Sequence, residues 1–308
     1  MSQVYSLTEE MPKALRAIDA YKKAMVFFNK FELPIHAAES YWKLALIHSI
    51  LGEHLEASKN YELSAELYKR TIERIPQLRS FLEDQTKYMS AWSQIEKAMH
   101  HHAKEEHYEA KKDYENAATL HEGAANWSYM APNYWAWADL ENAELLSRQE
   151  KPKEATFTFE QAQTRFRSAE EAIMQKIKEI DLPEEKQVAE KQVKAATLRL
   201  GYCQARISIE KAKVLERKGE YAASANHYGL AAGKLAQLLN DIELTQTRQE
   251  FSLLLKLCEA WEQMELAEEK ADPEKYFEAA HLFEQAKKHS STKKTTLLIL
   301  VRRCCRNP

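Results

Sequence analysis

One eight-residue phrase recurs five times along the chain and constrains the fold more than any other feature. The copies are AESYWKLA (Ala38 to Ala45), AWSQIEKA (Ala91 to Ala98), AWADLENA (Ala136 to Ala143), ARISIEKA (Ala205 to Ala212) and AWEQMELA (Ala260 to Ala267). Each begins and ends in Ala, and the fifth position is large and apolar: Trp42, Ile95, Leu140, Ile209 or Met264. Positions one, five and eight are four and three residues apart, so on a helix they share one face. The alanines allow a neighbouring helix close approach, and the large residue fills the space between.

A second phrase follows each copy: EASKNYELSA, EAKKDYENAA, EATFTFEQAQ, ASANHYGLAA and EAAHLFEQAK. Each carries a small residue, an aromatic four later and a small residue three after that. The sets are Ala57, Tyr61, Ser64; Ala110, Tyr114, Ala117; Ala155, Phe159, Ala162; Ser224, Tyr228, Ala231; and Ala279, Phe283, Ala286. Between the phrases lie the short turns LGEHL, KEEHY, QEKPK, KGEYA and ADPEKYF. Gly52 and Gly219 suit a helix C-terminus, and Pro152 and Pro273 suit a helix start. Each unit therefore reads as helix A, tight turn, helix B, an antiparallel pair.

The order of small and aromatic positions resembles the tetratricopeptide repeat. Ala45, Ala98, Ala143, Ala212 and Ala267 match that family's small helix-A position, and Gly52 and Gly219 its turn glycine. Two departures stand out. The family's leading aromatic position holds Tyr41 but then Gln94, Asp139, Ser208 and Gln263. The first small residues of helix B are also spaced 53, 45, 69 and 55 apart, against a family period of about 34. Helices are thus longer than usual or extra turns intervene, a style similar to the long-helix soluble NSF-attachment-protein branch. The resemblance implies an all-α, right-handed α-solenoid of antiparallel helix pairs.

About twelve helices are expected, near 8–31, 35–51, 54–75, 78–103, 105–122, 132–149, 152–180, 184–218, 220–240, 243–270, 273–289 and 293–303. They form one repeat domain over residues 1–308, with a bend near 178–187. Ala17, Tyr21 and Ala24 give the first helix a helix-B pattern. No alternating strand pattern persists, and sustained leucine-type heptads of a coiled coil are lacking.

Composition narrows function. Net charge is −3, which gives no global attraction to nucleic acid or anionic membrane. No apolar run approaches the ~20 residues of a membrane span. The start, MSQVYSLTEEMPKAL, lacks a signal-peptide order, and the four cysteines show no zinc or disulfide spacing. A cytoplasmic location follows as the expectation. No phosphate loop, nucleophile elbow or zinc-protease motif is present, so a non-catalytic protein with no cofactor is expected.

His100, His101 and His102, with His107 beyond, lack the i, i+3 or i+4 spacing of a helical metal site. They read as a solvated helix end, with weak cationic capping. The acidic residues read as charge-laced helix surface.

Aromatic residues give the candidate partner-binding positions. Trp92, Trp137 and Trp261 follow the first Ala in three repeats, and in tetratricopeptide proteins this position commonly faces the concave groove. The resemblance thus implies a groove for a peptide or helix, with Glu96, Glu141, Glu210 and Glu265 adding negative charge nearby. The segment NWSYMAPNYWAW adds Trp127, Tyr129, Tyr134 and Trp135. For every one of these rings, packing between repeats is the competing role. The other functional readings are an adaptor working through its outer face and a ligand-responsive regulator. The tail, with Leu297 to Val301 and Cys304 and Cys305, reads as a helix A without its B and a possible oligomer contact.

Overall fold

The computed structural model describes residues 2–181, 183–242 and 245–289. Among the described residues there is no strand, and eleven α-helices follow one another: α1 (Ser2–Lys30), α2 (Pro34–Ile50), α3 (His54–Arg74), α4 (Arg79–Ala103), α5 (His107–Glu122), α6 (Ala131–Arg148), α7 (Pro152–Ile177), α8 (Pro183–Glu216), α9 (Tyr221–Asp241), α10 (Thr245–Lys270) and α11 (Pro273–His289). The expected helices coincide with these to within a few residues, except that α1 begins earlier. The expected twelfth helix at 293–303, the apolar run in it and the oligomer contact assigned to it lie outside the described residues. Consecutive helices pack against each other, as α1 on α2, α3 on α4 and α9 on α10 illustrate.

The helix-A phrases fall in α2, α4, α6, α8 and α10, and the helix-B phrases in α3, α5, α7, α9 and α11. Irregular repeat spacing is absorbed by helix length, from 16 residues in α5 to 34 in α8. The alanines that close each A phrase (Ala45, Ala98, Ala143, Ala212 and Ala267) are all fully buried. So are Ala57, Ala110 and Ala155 on helix B. The helix-B aromatics Tyr61, Tyr114, Phe159 and Tyr228 fill the space they leave, each burial being worth ~1.5–3 kcal/mol. Where the small residue is Ser, its hydroxyl is satisfied by the partner helix. Ser64 Oγ donates to the Ala38 carbonyl at 2.8 Å, and Ser224 Oγ to the Ala212 carbonyl at 3.1 Å.

The turns share one backbone solution. Gly52 and Gly219 lie at φ +75°, and Glu105, Glu150 and Ala271 occupy the same left-handed region at 61°, 58° and 49°. After α2, the Gly52 N–H donates to the Ser49 carbonyl and the Glu53 N–H to that of His48, both at 2.9 Å. The same pair of bonds recurs at Glu105 and Glu106 and at Glu150 and Lys151. This is the Schellman ending, which satisfies helix-terminal carbonyls. One residue separates the left-handed one from the next helix, so these connections are two to four residues long. Proline stands first in α2, α7, α8 and α11, where its missing N–H costs nothing.

The described residues form two compact units, one within Met1–Asn142 and Arg165–Val193, the other within Ala143–Thr164 and Lys194–Pro308. The first has a core of Tyr61, Leu82, Met89, Ile95, Tyr114 and Tyr134 among alanines. The second is built on Ile209, Tyr228, Leu235, Phe251 and Cys258. Cys203 and Cys258 are both buried. Burial pushes the Cys258 thiol up to about 12, so it packs as a small apolar group. Of the stretch 178–187, residues 178–182 connect α7 to α8 and the rest begins α8; Leu182 lies outside the described residues.

Candidate functional sites: repeated tryptophans and buried glutamates

Trp92, Trp137 and Trp261 occupy equivalent places and are held in the same way. Each stacks on the aromatic of the preceding helix B: Trp92 on Tyr61 (22° between planes), Trp137 on Tyr114 (23°) and Trp261 on Tyr228 (20°). Trp137 and Trp261 also present a face to a second ring, Phe166 and Phe283, nearly at right angles. All three are half-buried. Trp92 and Trp137 belong to the first unit and Trp261 to the second.

The aromatic segment before α6 divides by burial. Tyr134 is buried, stacked on His121 at 5.2 Å and on Tyr114 at 6.4 Å. Trp127 is half-buried, stacks on Tyr88 at 4.0 Å, and has an indole N–H without a hydrogen-bond partner. Tyr129 leans on Trp127. Trp135 donates from Nε1 to Glu122 at 2.7 Å and carries the Arg165 guanidinium over its ring. Pro132, Trp135 and Arg165 line a shallow depression. His121 lies at the centre of this cluster, fully buried, and neither ring nitrogen has a partner. Desolvation pushes its pKa down to about 3, so the imidazole stays neutral.

The sixth position of the A phrase corrects the sequence reading. Glu96, Glu141, Glu210 and Glu265 do not line a surface; their exposures are 1%, 0%, 0% and 2%. Each carboxylate docks on the turn of the preceding repeat, and its partners differ from repeat to repeat. Glu96 meets His54 Nδ1 at 2.8 Å. Glu141 meets two imidazoles, His102 Nδ1 at 2.6 Å and His107 Nδ1 at 2.7 Å, one on each oxygen. Burial alone raises this carboxyl's pKa, but the two hydrogen bonds and the imidazole charges pull it down to about 2.

In the second unit Glu210 accepts from Ser147 Oγ and Lys213 Nζ, both at 2.6 Å, with Arg206 at 3.5 Å. Arg206 also reaches Glu144 at 2.9 Å and Ser147 at 3.0 Å. Among the described residues Glu265 has no cation in this role. Burial first, and the charge of Glu216 second, push its pKa up to about 7, and its Oε2 has no hydrogen-bond partner.

The histidine run stands at a partly solvated helix end, but two of its rings also engage carboxylates. His101 Nδ1 lies 2.6 Å from Glu106, three residues past the helix, and its Nε2 lies 3.7 Å from Asp113. His102 is the residue that reaches Glu141. The sequence held two traces of this arrangement, the unvarying Glu in four A phrases and the parallel GEHL and EEHY turns. Glutamate on an amphipathic helix is nearly always exposed, and its partners from the preceding turn lie 34 to 63 residues away.

Fold and site together define a protein whose described residues are helical, with consecutive helices packed on one another and buried carboxylates joining one repeat to the turn before it. No family model, curated protein or solved structure matches the chain. Among the described residues no helix is long and apolar enough to cross a membrane.

Proposed function

We propose that the chain is a non-catalytic binding scaffold that presents a groove to a peptide or a helix of a protein partner. In this reading the helix pairs are antiparallel, and within each unit they stack in the right-handed manner of tetratricopeptide repeats. The observation that supports it is the set of half-buried indoles, Trp92, Trp137 and Trp261, fixed by the same stack in three repeats. An indole held rigid by one face and open at its edge loses little conformational entropy on binding, and buried Trp dominates many interfaces. Trp135 and Trp127 extend the candidate contact set of the first unit.

The test uses a peptide selected against the full-length chain from a random display library. Trp137→Phe keeps a ring for Tyr114 to stack on but trims the outer edge. We expect it to weaken peptide binding by ~1 kcal/mol with little change in Tm, and we expect the peptide to protect tryptophan emission from acrylamide. A peptide that binds Trp92→Phe, Trp137→Phe and Trp261→Phe as tightly as the parent chain places recognition elsewhere.

A further inference from the structure

We propose that His102, His107 and Glu141 form a binding site for one divalent transition-metal ion of the zinc type, built into the junction between the second and third repeats.

The donors come from three places in the fold of the first unit. His102 is the second-last residue of α4, His107 opens α5, and Glu141 lies on α6. Their ligand atoms all lie within 4.8 Å of one another. Among the described residues this is the one group of three or more His, Cys, Asp or Glu side chains with that property. Both imidazoles turn Nδ1 to the carboxylate, at 2.6 and 2.7 Å. Two imidazoles and a carboxylate are a donor set that suits zinc and its neighbours, with metal–donor distances of about 2.0–2.2 Å. Two donors on one tetrahedral ion then stand roughly 3.3 Å apart. Opening each imidazole–carboxylate contact by roughly 0.6–0.7 Å reaches that spacing between Glu141 and each ring.

Proton balance permits the exchange. The ion takes the Nδ1 lone pairs, and each imidazole proton moves to Nε2 or leaves to solvent. Nε2 of His107 is buried without a partner, so a proton placed there breaks no existing hydrogen bond. Glu141 is fully buried while the His102 side chain is 42% exposed, so the ion enters from the His102 side, where water completes its coordination.

The other junctions serve as internal controls. The first places His54 on Glu96, but the position equivalent to His102 is Ser49. The third again has serine, Ser147, and answers its carboxylate with Lys213 and Arg206. Of these three junctions, only the second sets two imidazole nitrogens against one buried carboxylate. The repeat needs the glutamate at this place, but it does not need the second histidine.

The experiment titrates the full chain with cobalt chloride at pH 7.5 after removal of metal by chelation. Cobalt reports its own coordination through visible ligand-field absorption, and zinc is then added in competition. We expect one cobalt per chain with the intense bands of a four-coordinate site, bleached by zinc. His102→Ser copies the first and third junctions and is expected to weaken cobalt binding ~10-fold or more. His54→Gln should leave it unchanged. A second measurement on the unaltered chain covers the case in which a variant folds poorly. With 15N-labelled histidine, zinc should shift the ring nitrogens of His102 and His107 and leave those of His54 in place. No bound cobalt, equal binding by a folded His102→Ser chain, or zinc shifts confined to other histidines would each overturn the proposal.

Discussion

The two units meet the same structural requirement with opposite chemistry. In the first, Glu96 and Glu141 are answered by imidazoles, whose charge depends on pH. In the second, Glu210 is answered by an ammonium and a guanidinium, while Glu265 faces another acid. A carboxylate at the sixth position of helix A reaches back to the preceding turn, and that reach is what the repeat conserves from copy to copy within this chain. Its protonation state is set by whichever residues the turn supplies. Ser49, His102, Ser147 and Glu216 occupy the same place near the helix end, and they leave the carboxylate in very different electrostatic surroundings.

The largest effect that separates the two solutions is expected at Arg206. It is buried between Glu144, Ser147 and Glu210, with its guanidinium 5.1 Å over the Phe159 ring. Glu144 keeps the hydroxyl of Tyr202 at 2.7 Å after its removal, and Glu210 keeps Lys213. Arg206→Ala should cost ~3–5 kcal/mol in urea unfolding, because it strands buried charge. A loss below ~1 kcal/mol would show that Lys213 alone balances the site and that the contrast with the histidine junctions is weaker than described.

Glu265 should give an intermediate effect whose sign depends on pH. Its pKa in the folded chain is about 7, above the ordinary 4.5. Between those values the folded chain keeps a proton that the unfolded chain releases. The stabilisation is full below about pH 4.5 and is lost as pH rises through about 7. Glu265→Gln removes the titration. The variant should match the parent near pH 4.5 and exceed it by ~1–3 kcal/mol at pH 8. Equal stability at both pH values would mean that Glu265 is ionised and compensated. His121 in the first unit works in the opposite direction. Its depressed pKa makes stability fall as pH drops below about 6.5, so the two units are expected to weaken at opposite ends of the pH range.

The smallest effects belong to the turns that present these partners. Gly52 sits in the left-handed region without strain, whereas Ala271 holds φ +49° with a β-carbon. Gly52→Ala should lose ~1 kcal/mol, and Ala271→Gly should gain up to ~1 kcal/mol, the gain reduced by the freer unfolded chain. Thermal unfolding of the pair checks this. Shifts of the same sign would mean that side-chain contacts at the turn outweigh backbone strain.

The sequence was most legible where physics is local. Gly52, Gly219, Pro152 and Pro273 mark helix ends through backbone preferences that hold whatever the tertiary surroundings. The alanine and aromatic positions mark the buried face through spacing alone, and the fully buried Ala143 and Phe159 agree with it. The equivalence of Trp92, Trp137 and Trp261 was visible too, but not their half-burial, which depends on Tyr61, Tyr114 and Tyr228 from the preceding repeats. Tyr134 was legible only as an aromatic near a helix start; its stack on His121 removes it from the surface.

By itself, then, the sequence determined the helices, their ends and the repeating face that packs, because these follow from hydrogen bonds and steric preferences spanning five residues or fewer. The partners of the charged groups were decided by the tertiary structure. A glutamate in a helix pattern is equally compatible with water and with a buried imidazole. Only the packing of one repeat on the turn before it brings His102 and His107 to Glu141 across 39 and 34 residues of chain, and desolvation then makes those contacts matter.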